Sequence, residues 1–558
     1  MLPFAGVVKW FRQDVLRLTR QRVIALLLAA LCAVVYMPFL NNPLVFDDHN
    51  LLNNLSFIDY TFRFSLAPRW LPYATLAHTQ VMMDGSIAAM RIGNLLLHAV
   101  NVVLVFVLLH ELCVATFRGD DAKRRGNWAL VVASVGAALL AVHPVAVYGV
   151  GYLVQRTILM STLFMVLMLI AYLRWLMGGR TALWVWSAVW YFLSVFSKEH
   201  SVAAPAVALL LTFVLHRPSI ALFRRLIAPF VAYAAIAILV ISMVKGLLGS
   251  AYEPFALEMI KDALDSGVDP ALAYPLSIVT QTYLYFKYLL LWVFPDVRWI
   301  SIDMRESLAP SLFAWPYSAA IAGIVCYTMI TVAMVLRGGR VGLTGWILLF
   351  PWIMFATELS AVRVQEPFVL YRTYLWFPLI GALVPLALMR LNVKVAVAIA
   401  VPVLCVFVAL SWNRLHSLSD ALLTWDDVAK LLITGKEPGA GRIYYNRALA
   451  LSAKGRHQEA LLDLERTVAL NPKLAPVHFA RAKVNFELKR YSEAILNLNA
   501  SISLDPKRSS AYFARSIALQ QLGREDEALQ DLRKSCEMKD IIGCYALSQQ
   551  TQGTARAK

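Results

Sequence analysis

Asn41-Asn42-Pro43-Leu44-Val45-Phe46-Asp47-Asp48-His49-Asn50 sets two adjacent carboxylates directly after an apolar run that ends at Leu40. Ionisable groups beside a bilayer lose hydration and must find partners, so the pair marks a place where a proton, a cation or a substrate is handled. The plainer reading is that Asp48 or Asn50 caps a short interfacial helix. Two close carboxylates resist double ionisation, which raises the proton affinity of one and suits it to work as a base. Asp47 and Asp48 could also hold a divalent cation, although no cluster in the chain has the ligand spacing of a structural metal site. A second polar group, Arg91, Asn94, His98 and Asn101, advances in steps of three, four and three and so draws a stripe down one helical face. Inside a membrane that stripe must face protein or a wet cavity, for function or for helix packing.

The elements that hold these residues are membrane helices. Of 558 residues 59% are hydrophobic and 16% charged, and the mean hydropathy of +0.62 excludes a soluble protein of this length. The net charge of +17 comes from Lys and Arg gathered in short loops, where they set orientation and do not form a nucleic-acid surface. Lys9, Arg12, Arg17, Arg20 and Arg22 precede the apolar segment Val23 to Leu40, which has no small-residue cleavage site before Pro43 and reads as a retained anchor entering from the cytoplasm. Cys32, Cys113, Cys326 and Cys405 lie in apolar segments as packing residues.

Asn41 to about His78 is then an external loop, with Leu55 to Leu71 expected as a helix lying in the interface. Further spans are expected over Met90–Phe117, Trp128–Val142, a pair ending at Arg174 and at Ser197-Lys198-Glu199-His200, Ser201–His216 and Ile227–Val244, followed by a polar external loop from Gly246 to Pro275. A full crossing by Leu276–Phe294 would place Arg337, Arg340, Arg390 and Lys394 outside, so this segment is expected to be re-entrant or interfacial. Trp315–Leu336, Val341–Ala356, Tyr374–Met389 and Val395–Leu410 complete about 11 spans of ~20 residues each. The amino terminus is then cytoplasmic and the carboxyl-terminal region external.

Beyond residue 412 the composition becomes charged and helical, with 413–440 as a linker. Ala460, Ala494 and Ala528 recur every 34 residues, as do Tyr444, His478 and Tyr512, and Pro472 and Pro506 close the first two units. This is the tetratricopeptide period, giving three repeats over 441–543 that stack into a short solenoid of the kind that receives peptides, and a terminal helix and tail over 544–558. The end of the third unit, Lys534 to Tyr545, resembles the junction of cysteine-bearing helix-turn-helix repeats, which implies pairing of Cys536 with Cys544; two free thiols are the other reading. On one continuous helix the gap between them spans ~12 Å, so pairing requires a turn, expected at Gly543.

Together Phe46-Asp47-Asp48, Arg91 to His98, Ala141-Val142-His143-Pro144-Val145, Gln155-Arg156-Thr157, Ser197-Lys198-Glu199 and the stretch Arg372 to Pro378 resemble the transmembrane and tetratricopeptide-repeat protein O-mannosyltransferases, multispanning glycosyltransferases of the GT-C fold. The late motif departs from that family in having Tyr371 before its arginine. The resemblance implies an all-α membrane bundle in a bacterial inner membrane with periplasmic repeats. It further implies transfer of one sugar from a polyprenyl-phosphate carrier to a Ser or Thr hydroxyl of an exported protein held by the repeats. Asp47 is then the base that takes the hydroxyl proton and Asp48 orients it. Arg156, Lys198 and Arg372, with Glu199 beside them and Arg91 and His143 as further candidates, face the lipid phosphate that leaves. A lipid or glycan acceptor, or a non-catalytic scaffold, are the competing readings.

Overall fold

The computed structural model describes residues 4–52, 54–117, 122–244, 272–363 and 366–556. The chain divides into two compact units, Met1–Asp420 and Ala421–Lys558. Among the described residues both are helical, with one isolated antiparallel bridge between Met304 and Phe368.

Among the described residues of the first unit, seven helices are long and apolar enough to cross a membrane: Thr19–Phe39, Ile87–Thr116, Leu153–Leu176, Ile220–Met243, Tyr317–Arg337, Gly339–Ser360 and Val393–Ser417. A bent pair, Leu370–Trp376 and Ile380–Arg390, raises the number to eight. That is fewer than the loop charges suggest. Ala182–Ser197 and Glu199–Leu215 are apolar but short, and Ala122–Ala141 opens with Lys123, Arg124 and Arg125; a straight crossing needs ~20 apolar residues.

Two expectations are revised. Leu276–Phe294, expected as re-entrant or interfacial, lies up to Val293 in one helix, Ala273–Val293, while a break falls in Tyr374–Met389, where the chain turns by 63°. Pro378 has no N–H to continue the helix, and Gly381 lets the backbone press on its neighbour: a Cβ there would lie 2.8 Å from the Gly136 carbonyl oxygen. Leu55–Leu71 is not one interfacial helix either. Short turns Leu55–Ile58 and Asp59–Phe62 give way to extended chain before Trp70–Met82, because Pro68 cannot extend a helix and Arg69 adopts a left-handed φ of 67°. The loop expected over Gly246–Pro275 lies, through residue 271, outside the described residues.

The second unit is a row of helix pairs: Ala440–Ala453 with His457–Leu470, Ala475–Glu487 with Tyr491–Leu504, and Ser509–Gln521 with Glu525–Glu537. Ala460, Ala494 and Ala528 are fully buried where paired helices touch, since only a small side chain lets the backbones come that close. Thr467 Oγ1 donates to the Gly441 carbonyl (3.4 Å), and 34 residues later Ser501 Oγ donates to that of Ala475 (3.0 Å), repeating the register. The stretch 413–440 is not a free linker: Val393–Ser417 runs through its start, and Leu422 and Trp425 of Ala421–Ala429 pack on the first pair. Cys536 and Cys544 form a disulfide. Its turn lies at Lys539, left-handed at φ 63°, rather than at Gly543, which sits in the first turn of Ile541–Arg556.

Candidate functional site

The acidic stretch is fastened to the turn before the helix Arg156–Leu176. Asp48 is fully buried, and its carboxylate accepts the backbone N–H groups of Val154 (2.9 Å), Leu153 (3.3 Å) and Val45 (3.4 Å). Burial pushes its carboxyl up to about 7 against the pull of those amides and of Arg91. Arg91 gathers the opposite groups, donating to the carbonyls of Leu40 (3.0 Å), Pro43 (2.7 Å) and Asn42. One carboxylate holding amides and one guanidinium holding carbonyls thus fix both polarities of a loop that makes few backbone bonds of its own.

Asp47 differs from its neighbour. Its side chain is exposed, while its N–H donates to the Tyr152 hydroxyl at 3.0 Å. The preceding Phe46 has φ 47°, a left-handed conformation that costs an aromatic residue of order 1–3 kcal/mol and survives only where surroundings impose it. The pair does not suit a shared divalent cation: the Asp48 oxygens are occupied by amides, and among the described residues no group of three His, Cys, Asp or Glu side chains forms a metal site.

The polar stripe is spent on the protein, which favours the packing reading. Arg91, Asn94, His98 and Asn101 are all buried. Asn94 donates to the carbonyls of Val150 and Leu153, both at 3.3 Å. His98 Nδ1 stands 2.7 Å from the Tyr374 hydroxyl, and Asn101 donates to the Leu159 carbonyl at 2.9 Å. Arg156 uses its fork on Asn94 Oδ1 (2.8 Å) and the Met90 carbonyl (2.7 Å). Gly93 makes room for it, since a Cβ there would lie 2.7 Å from Arg156 Nη2. His143 accepts the Val145 N–H at Nδ1 (3.3 Å), contacts the Trp292 carbonyl through Nε2 (3.0 Å) and stacks on the Trp292 ring. Arg91, Arg156 and His143, expected to face a phosphate, are therefore committed to backbone and structural partners.

Lys198, Glu199 and Arg372 do come together. Arg69 grips Glu199 through Nε (3.0 Å) and Nη2. His200 lies between Glu199 (3.3 Å) and Glu358 (3.1 Å), and Glu358 in turn pairs with Arg372 (2.7 Å) and Arg363 (3.2 Å). Against the upward push of burial, Lys198, Arg69 and His200 hold the Glu199 carboxyl well below the usual range. Lys198 is the exception in this network. It is 7% exposed, yet among the described residues no hydrogen bond or ion pair reaches its ammonium. Burial, aided by Arg69 and Arg372 and opposed by Glu199 and Glu358, pushes it down to about 7. Arg69, Lys198, Arg363 and Arg372 face Glu199, Glu358 and the more distant Glu366, which leaves an excess of positive charge.

Aromatic rings run between the two groups. Tyr152, which receives the Asp47 N–H, packs edge-on against Tyr371 at 5.8 Å between centroids, and Arg372 lies 5.8 Å from the Tyr371 ring. Sequence reasoning did not single out Arg69, His200, Glu358 or Arg363 as site residues. The left-handed φ of Arg69 and the burial of Glu358 are visible only in three dimensions; a lone Glu358 near the end of an apolar segment was the one available signal.

The tetratricopeptide-repeat family matches residues 441–474, 475–508 and 509–540. Similar solved structures include the first tetratricopeptide repeat of Spaghetti (RPAP3) bound to the HSP90 peptide SRMEEVD, at 20% identity over 21% of this chain and 93% of that one, TM-score 0.20. Another is MamA, at 23% identity over 23% and 70% of the two chains, TM-score 0.20. A third is the APC/C hetero-tetramer Cut9-Hcn1, at 12% identity over 98% and 96%, TM-score 0.23. No curated protein matches the chain.

Proposed function

We propose that the chain is a membrane glycosyltransferase of the GT-C type. In this reading it moves one sugar from a polyprenyl-phosphate carrier to a Ser or Thr hydroxyl of an exported protein on the periplasmic side of a bacterial inner membrane. The observation that carries the reading is Lys198, a buried lysine whose ammonium makes no direct hydrogen bond and lies in a network of Arg69, Arg372, Glu199 and Glu358. Burial and the two arginines disfavour its charge, and the two carboxylates offset this only in part. The remaining cost is accounted for if a ligand supplies a further anion, and a lipid phosphate is an anion that reaches a membrane protein from the bilayer.

The chemistry follows from the residues. As the glycosidic C–O bond to phosphate breaks, negative charge grows on the phosphate oxygens; Lys198 and Arg372 stabilise it where little water competes. The hydroxyl that attacks the anomeric carbon loses its proton to Asp47, whose side chain is exposed and not spent on a fold contact. Asp48 acts at one remove, by fixing the loop from which Asp47 projects. Displacement in one step inverts the anomeric centre.

The test is intact-mass comparison of exported proteins from cells with and without the chain, and with Asp47→Asn in its place. A hexose-sized mass on at least one protein, lost in both the deletion and the Asp47→Asn strain, is the expected result. Retention of every such mass in the Asp47→Asn strain at normal expression overturns the catalytic reading and leaves a membrane scaffold.

A further inference from the structure

Tyr371 stands where the two halves of the site meet. Its ring is half-buried and packs in one cluster with Phe46, Tyr152 and Ile302, meeting Tyr152 edge-on at 5.8 Å between centroids. Tyr152 is the residue whose hydroxyl accepts the Asp47 N–H at 3.0 Å. Along the chain Tyr371 adjoins Arg372, whose guanidinium carbon lies 5.8 Å from the ring centre. The charges of Arg372, Glu366, Asp47 and Glu358 all act on its phenol.

Neighbouring phenols are committed to the fold: Tyr288 accepts the Val369 N–H at 2.5 Å, and Tyr374 stands 2.7 Å from His98 Nδ1. Tyr371 differs, for among the described residues its hydroxyl makes no hydrogen bond. A phenol can both donate and accept, and a lone polar group in a mostly apolar wall is what fixes a ligand's orientation. Tyr371 is also neutral. Arg69, Lys198, Arg363 and Arg372 outnumber Glu199, Glu358 and Glu366 by four to three. A carboxylate at position 371 would cancel that excess, whereas a phenol leaves it to hold a phosphate.

Displacement in one step aligns the attacking oxygen, the anomeric carbon and the leaving oxygen, so the sugar lies between its two partners. With the attacking hydroxyl at Asp47 and the phosphate at Lys198 and Arg372, the sugar occupies an interval whose two ends both act on Tyr371. We propose that the Tyr371 phenol hydrogen-bonds a hydroxyl of the transferred sugar and thereby selects which sugar is carried. This inference rests on the proposed transfer and goes beyond it by naming the group that distinguishes one sugar from another.

The test is calorimetric titration of the full-length chain in nanodiscs with isoprenyl phosphate and with its mannoside, glucoside and N-acetylglucosaminide. Monodeoxy forms of the tightest glycoside then follow, each on the parent and on Tyr371→Phe. The expected result is that one glycoside binds the parent at least about tenfold more tightly than isoprenyl phosphate, and that removing one of its hydroxyls costs at least about fivefold. In Tyr371→Phe the same removal should cost less than about twofold, with isoprenyl phosphate affinity and melting temperature as in the parent. No glycoside favoured over isoprenyl phosphate, or equal deoxy losses in parent and variant, overturns the role of Tyr371 while the phosphate site stands. A lowered melting temperature in Tyr371→Phe also overturns it, because the hydroxyl would then already serve the fold. Failure of the parent to bind isoprenyl phosphate removes this inference and the transfer reading together.

Discussion

Replacing Lys198 by Met should move ligand affinity and stability in opposite directions. Met keeps the length of the buried stem and removes the ammonium. Without ligand, the parent chain tolerates a charge that burial disfavours: the pKa falls from 10.5 to about 7, a change worth about 5 kcal/mol at 1.36 kcal/mol per unit. The folded state therefore binds fewer protons than the unfolded state between those values, so this residue's contribution to stability rises with pH from about 7 to 10.5 and is least favourable below 7. Lys198→Met removes that penalty, and we expect the ligand-free variant to gain about 1–3 kcal/mol at pH 6. A short isoprenyl phosphate should lose a charge-assisted contact worth about 1.5–3 kcal/mol, weakening its Kd roughly 10- to 150-fold. In the parent chain affinity should also fall as pH rises above about 7, and this dependence should vanish in the variant. The assay is calorimetric titration in nanodiscs at several pH values, paired with thermal unfolding. A variant that binds isoprenyl phosphate as tightly as the parent, or one that loses stability at pH 6, would refute the assignment of Lys198 as the anion's partner.

Four further outcomes follow. Asp47→Asn should lower turnover about 10²- to 10⁴-fold while leaving the melting temperature unchanged, because the side chain is exposed; product formation by mass spectrometry checks it. Asp48→Ala leaves three amides without their acceptor and should cost about 3–5 kcal/mol, with Asp48→Asn intermediate, as read by thermal unfolding. Gly93→Ala sets a methyl 2.7 Å from Arg156 Nη2 and should destabilise by about 1–3 kcal/mol, an effect that Arg156→Ala in the same chain should partly relieve in a double-mutant cycle. Reducing Cys536–Cys544 should weaken the repeat unit by about 2.5 kcal/mol from the closed-loop length alone, visible as faster proteolysis near the carboxyl end.

Periodicity made the second unit legible: a 34-residue recurrence of alanine and aromatic positions fixes helix pairs without any long-range information, and the pairing of Cys536 with Cys544 was implied by the resemblance of Lys534 to Tyr545 to cysteine-bearing repeats. The membrane unit was legible where an apolar run is long. It was less so at Tyr374–Met389, where Pro378 and Gly381 break the chain through contacts with a helix more than 200 residues earlier. Of the candidate site, Lys198, Glu199 and Arg372 lie in one charge network. Arg91, His143 and Arg156 share the same residue chemistry and predicted neighbourhood yet bond elsewhere, because a buried turn needs its carbonyls satisfied as much as a ligand needs cations. Composition cannot separate those two demands. Glu358 and Arg69 enter the network through tertiary approach, and nothing local to either residue announces it.

The double fastening by Asp48 and Arg91 leaves the segment from Leu40 to Asp48 with no slack. If the proposed transfer holds, a carboxylate mounted on such a post would not follow an incoming alcohol around, and the alcohol would have to travel to it past the neighbouring rings. Choice among acceptors would then reside in those rings, and sequence drift there would retarget the proposed reaction while the carboxylate stayed fixed in place.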